Sequence, residues 1–199
     1  MGKPVDTPLI VLLIDSKPER ARIVEAGLKG AAVVKPASAL HGVDLLSVVE
    51  QLQPDAIIID CDSPDRDTIE NLQLVARKNP KPIVMFVENG DGALAKEAVR
   101  AGVSAYIVDG LSEQRVLPVL EIAIERFKMF DALWRDLEQS KRDLEARKVI
   151  EKAKGVLMHK RQLSENEAYA AMRSMAMKQG KTIKEVADNI LSVASLFEG

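Results

Sequence analysis

The chain has 199 residues, 47% of them hydrophobic and 29% charged, with a formal net charge of −2. It is long enough to bury a sizeable core in one medium or two small domains, and its single cysteine, Cys61, cannot form an internal disulfide, so a buried structural thiol is expected there. No apolar run is long enough to span a bilayer and the first residues lack a signal peptide's apolar core, which excludes a membrane protein and places the chain in the cytoplasm.

The small net charge hides a division of labour. Residues 1–110 hold 12 basic and 16 acidic side chains, whereas residues 141–184 hold 12 basic and only 5 acidic ones. An excess of +7 over so short a stretch is the electrostatic footprint of phosphate-backbone binding, set against a merely solvated lysine-rich helix face.

Residues 8–15 form a continuous apolar run ending in Asp15, as a strand buried on both faces of a parallel sheet should. Ser16, Pro18 and Glu19 then open a helix, with Ser16 as its cap. The alternation continues with strands at 31–35, 55–60, 82–87 and 103–108 and helices at 40–52, 69–78 and 92–101. Five strands alternating with helices of this length imply a parallel sheet with right-handed crossovers and helices on both faces. Ligands of such sheets collect at the carboxyl ends of the strands, where Asp15 and Asp60 both fall.

From Ser112 a long helix is expected. Val116, Leu120, Ala123, Phe127, Phe130, Trp134, Leu137, Lys141 and Leu144 alternate steps of four and three, the a/d pattern of a left-handed coiled coil. A homodimer seam through Leu120, Phe127, Phe130, Trp134 and Leu137 follows; the alternative is that the aromatic residues fold back within one chain. Pro118 is early enough in the helix to be tolerated.

Residues 147–158 make a basic amphipathic helix, with Ile150, Ala153, Val156 and Leu157 on one face. Two helices follow, each announced by a capping box, Ser164 with Glu167 and Thr182 with Glu185, and Gly180 stops the first of them. The second would bury Ala168, Met172, Met175 and Ala176, and the third Ile183, Val186, Ala187, Ile190, Leu191 and Ala194. His41 and His159 are isolated, and the methionines read as core filling.

Arg147, Ile150, Ala153, Lys154, Gly155, Leu157 and Met158, then Leu163, Ser164, Glu165, Glu167, Ala168 and Tyr169, and Glu185, Val186 and Ala187 resemble the ANTAR domain of bacterial transcription antitermination regulators. One departure is Gln162, where that family often has Gly. The N-terminal half resembles the response-regulator receiver domain: Asp60, Pro64 and Asp67 match the loop after the phosphoacceptor strand, so Asp60 stands at the phosphoacceptor position and Asp15 at one of the two acids that hold Mg²⁺. Here the departures matter more. Ser16 replaces the second acid, Val87 the switch hydroxyl, and Asp109 and Gly110 the Lys-Pro after the last strand. Asp109 adds an anion where an aspartyl phosphate needs a cation.

The fold class is therefore α/β: a five-stranded parallel-sheet, receiver-like (flavodoxin-like) domain at 1–111, a coiled-coil linker helix at 112–145 and a three-helix ANTAR unit at 146–199. The resemblance implies an antiterminator that binds paired hairpin loops in leader RNA. By position, Arg147, Lys154, Arg161 and Arg173 are the candidates for phosphate or base contacts, Lys152, Lys160 and Lys184 the peripheral charges, Gly155 a point of close helix or RNA approach, and Tyr169 a stacking platform or a packing residue. It also implies a degenerate receiver with at most weak Mg²⁺ at Asp15 and Asp60, no required cofactor, no enzyme activity, and control by a ligand-sensing inhibitory protein as in the nitrate-responsive branch. The competing readings are a DNA-binding response regulator, disfavoured because the chain ends too soon after its third C-terminal helix for a recognition helix, and a signalling adaptor that binds no nucleic acid.

Overall fold

A computed structural model describes residues 8–15, 17–38 and 44–195, except the side chains of Asp15, Pro18 and Ser38. The expected cap Ser16, the isolated His41 and the first residues of the 40–52 helix lie outside that set. The chain divides into two compact units, Met1–Asp131 and Ala132–Gly199.

In the first unit the strands are β1 (Leu9–Asp15), β2 (Ala32–Ser38), β3 (Ala56–Cys61), β4 (Ile83–Val87) and β5 (Ala105–Val108), all parallel in the order β2-β1-β3-β4-β5. Between them lie α1 (Pro18–Gly27), α2 (Leu45–Leu52), α3 (Arg66–Lys78) and α4 (Gly92–Arg100). The strand pleat sorts side chains between two layers. Leu12, Ile14, Ile57, Ile59 and Met85 pack under α2, α3 and α4, whereas Val11, Leu13, Ile58, Val84 and Phe86 pack under α1 and the start of the next helix, α5 (Glu113–Arg161). Both faces are covered, which is why the strands read as unbroken apolar runs. This is the five-stranded parallel, flavodoxin-like fold expected from the sequence.

α5 runs unbroken for 49 residues. Val116, Leu120 and Ala123, the first three apolar steps of the expected seam, are fully buried in the core of the first unit. Leu120 is therefore corrected from seam to core. A four-three apolar stripe does not specify its partner, and the nearest bare apolar surface is the sheet face beside α1. Further along, Phe127 is half-buried, and Phe130, Trp134 and Leu137 are 57%, 60% and 46% exposed.

The second unit contains the end of α5 with α6 (Glu165–Gln179) and α7 (Ile183–Ser195). Ala153 and Leu157 of α5, Ala168, Met172 and Ala176 of α6, and Val186 and Ala187 of α7 form its core, with Met175, Ile183, Ile190 and Leu191 packed against it. Both capping boxes form: Glu167 accepts from the Ser164 amide at 2.8 Å and Glu185 from the Thr182 amide at 2.7 Å. Gly180 ends α6 in a left-handed conformation, φ +62°.

The turn from α5 to α6 also needs a left-handed residue, and there the chain places Gln162 at φ +54°. A side chain in that region costs about 1 kcal/mol relative to glycine. Gln162 offsets part of this by donating its Nε2 to the His159 carbonyl at 3.1 Å. Gln162→Gly is accordingly expected to stabilise the second unit by about 0.5–1 kcal/mol, read as a higher urea midpoint at unchanged slope; a lower midpoint would show that the side-chain hydrogen bond outweighs the backbone strain.

Candidate functional site

Backbone register fixes the first cluster. Asp15 of β1 stands opposite Asp60 of β3, and Cys61 opposite Val87 of β4, which itself stands opposite Val108 of β5. Beyond the strands the loops remain tied: the Glu88 amide donates to the Cys61 carbonyl at 3.2 Å, Asn89 to Asp62 at 2.8 Å and Asp109 to Val87 at 3.0 Å. Asp60 is 2% exposed at the bottom of this edge.

The side chain that answers Asp60 comes from α1. Proline at the first helical position suits a helix start, and it places Arg20 in the first turn. Arg20 Nη2 donates to Asp60 Oδ1 at 2.6 Å, its Nε donates to Asp60 Oδ2, and its Nη1 donates to Glu88 Oε1. This is a forked, charge-assisted contact on both oxygens of a buried carboxylate, and the hydrogen bonds to Asp60 raise the guanidinium above its ordinary value. Lys17 Nζ lies 2.6 Å from Asp62 and 3.6 Å from Glu88, holding the Asp62 carboxyl below the usual range. Sequence reasoning passed over Arg20 and Lys17; basic residues at the cap and in the first turn of a helix that starts at the carboxyl edge of a parallel sheet were the available signal.

The other departures sit around this pair. Val87 is buried among apolar neighbours, so that strand end offers no hydroxyl. Asp109 is left-handed at φ +48°, and a Cβ on Gly110 would run into Ile107 Cγ2. Arg20, Glu88, Asn89, Asp109 and Gly110 line a cleft of about 420 Å³. Cys61 is half-buried, and burial pushes its thiol up to about 12, so it stays protonated at neutral pH. Tyr106 Oη is buried with no hydrogen-bond partner among the described residues.

The described side chains here, which do not include that of Asp15, fit a divalent cation poorly. Mg²⁺ takes carboxylate oxygens, and both oxygens of Asp60 are held by Arg20. Among the described residues no group of three or more His, Cys, Asp or Glu side chains is placed to hold a metal.

In the second unit the expected nucleic-acid residues separate into three sets. Arg147, Lys152, Lys160, Arg161, Tyr169, Arg173 and Lys184 are exposed. Tyr169, Arg173 and Met177, spaced by four, form one exposed stripe along α6, and Lys160 and Arg161 border an apolar groove of about 340 Å³ floored by Leu157, Met175, Ile190 and Ala194. Lys184 pairs with Asp188 at 3.1 Å.

Lys154 behaves differently. It is 8% exposed, its Nζ 2.7 Å from Glu151 and 2.7 Å from Glu165, so it bridges α5 to the first turn of α6. Hydrogen bonds to Glu151 and then Glu165 raise it above an ordinary lysine. Within the chain its ammonium is engaged in that bridge, between two carboxylates that are themselves 65% and 68% exposed. Gly155 has nothing within 4 Å of where its Cβ would be. Glycine inside a helix costs about 1 kcal/mol against alanine, and no packing among the described residues calls for it.

Residues 11–121 match the response regulator receiver domain and residues 138–191 the ANTAR domain. The chain is 33% identical over 150 residues to the transcriptional regulatory protein PdtaR of Mycobacterium tuberculosis, covering 75% of this chain and 73% of that protein. It is 44% identical over 54 residues to the nitrate regulatory protein of Klebsiella oxytoca, covering 27% of this chain and 14% of that one. Among solved structures, the chemotaxis response regulator CheY4 of Vibrio cholerae superimposes with a TM-score of 0.51 at 20% identity, covering 59% of this chain and 99% of that one. A response regulator of Thermotoga maritima gives 0.53 at 15% identity, covering 60% and 99%. At such identities the structural likeness speaks for the fold alone.

Proposed function

Since the chain belongs to the response regulators that carry an ANTAR domain behind a receiver, we propose that it is an RNA-binding transcription antiterminator: its C-terminal unit holds paired hairpin loops of a leader transcript against a competing terminator. Both matched domains are regulatory. The observation that carries the reading is the surface of the second unit, which exposes Arg147, Lys152, Lys160 and Arg161 on α5, the Tyr169–Arg173 stripe on α6, and an open helix position at Gly155. Loop bases can be stacked and read at their edges, whereas an A-form stem hides its major groove, so a small basic helical surface suits a loop.

Phe130, Trp134 and Leu137 form an exposed apolar stripe, and a homodimer through it would offer two such surfaces to two hairpins, raising the effective concentration of the second contact. A ligand-sensing protein acting on the receiver supplies the control. A nitrate or nitrite setting is supported through the 54-residue C-terminal match.

The test is binding to a two-hairpin leader RNA and to duplex DNA of equal length across a salt series. Loop-dependent binding that favours RNA at physiological salt is expected. Equal and steeply salt-dependent binding to both would reduce the basic surface to a generic one.

A further inference from the structure

We infer that Arg20 is the resident cation of the acid pocket, a tethered guanidinium that closes Asp60 to both Mg²⁺ and phosphoryl transfer. The inference is independent of whether the C-terminal unit binds RNA.

Three observations converge on it. Arg20 takes both oxygens of Asp60 and reaches on to Glu88, so its fork is anchored at two points. The guanidinium is permanently charged and planar, and it matches a carboxylate in a way that a hydrated ion does not. The pair is also removed from water: the Asp60 side chain is 1% exposed and that of Arg20 19%. Finally, the position after β5 that carries a lysine in receivers is Asp109, so this pocket draws its positive charge from α1 instead of from β5.

The chemistry follows. To accept a phosphoryl group, an Asp60 oxygen must direct a lone pair at phosphorus; the P–O bond to acetate in acetyl phosphate breaks and acetate departs with the electron pair. Mg²⁺ would have to coordinate an Asp60 oxygen at the same time. With both oxygens inside the guanidinium fork, neither event can begin until a buried charge pair opens.

The experiment uses the full chain and Arg20→Ala, titrated calorimetrically with Mg²⁺ and with Mn²⁺. The native protein is expected to show no saturable binding at millimolar metal, and Arg20→Ala to gain affinity by about a hundredfold. Treated with acetyl phosphate and Mg²⁺, Arg20→Ala should gain one phosphoryl group by intact mass, and Arg20→Ala/Asp60→Asn none. If Arg20→Ala does not fold, Glu88→Ala removes the second anchor while leaving Asp60 in place, and a smaller gain in the same direction is expected. Native protein that binds Mg²⁺ as tightly as the variants would overturn the inference, as would folded variants that bind none. Metal binding without a phosphoryl adduct in Arg20→Ala would overturn its second half and move the block to Asp109.

Discussion

Neutralising Lys152, Arg161 and Arg173 together to Gln is expected to weaken binding of a two-hairpin leader RNA by about two orders of magnitude at low salt. It should also make the log–log salt dependence shallower by about 2, since each phosphate contact on a single strand contributes about 0.7 to that slope. The three side chains are exposed and lie on α5 and α6, outside the core of the second unit, so circular dichroism and the unfolding midpoint should remain close to native. Lys154 is left out deliberately. Reversing its charge would set three carboxylates against one another between α5 and α6, and lost binding would then report a loosened fold. One control and one outcome separate the explanations. Tyr169→Ala should lower affinity with the salt slope unchanged, because stacking releases no counterions. Unaltered RNA affinity in the triple variant, with native stability, would remove this surface from consideration and favour an adaptor that binds protein.

The architecture was legible because its signals are local. The β–α alternation, the apolar strand runs ending in Asp15 and Asp60, both capping boxes and the glycine stop at Gly180 depend on residues a few positions apart, and each corresponds to an element of the fold. What escaped depends on distance. Arg20 meets Asp60 across 40 positions, and no spacing rule links a helix's first turn to the end of another strand. The sequence registered a missing lysine at Asp109 without the cation supplied from α1. Lys154 reads from the sequence as a candidate RNA contact, and its ion pair with Glu165 is not legible there because it depends on where Glu165 arrives after the turn. Gln162 was noticed as a departure, but only the backbone explains it: the turn demands a left-handed residue there.

The same ambiguity, one periodic stripe with two partners, sets up the second large effect. Leu120→Ala is expected to destabilise the N-terminal unit by about 2–5 kcal/mol, because it empties a leucine-sized volume in a core shared with Leu13, Phe86 and Val116. Its effect on self-association should be small. Phe130→Glu/Trp134→Glu should behave in the opposite way: both side chains are more than half exposed, so the unfolding midpoint should hardly move, while dimer formation, followed by sedimentation equilibrium, should be lost if the stripe is a seam. A double dissociation between these variants would divide α5 functionally near Phe127, with its first turns belonging to the sheet and its exposed aromatics to a second copy. Were Leu120→Ala instead to abolish dimers while leaving the melting of the N-terminal unit untouched, the helix would have to leave the sheet in solution. The burial of Val116 and Ala123 beside Leu120 argues against that, since three adjacent apolar layers would be exposed at once, at a cost of several kcal/mol.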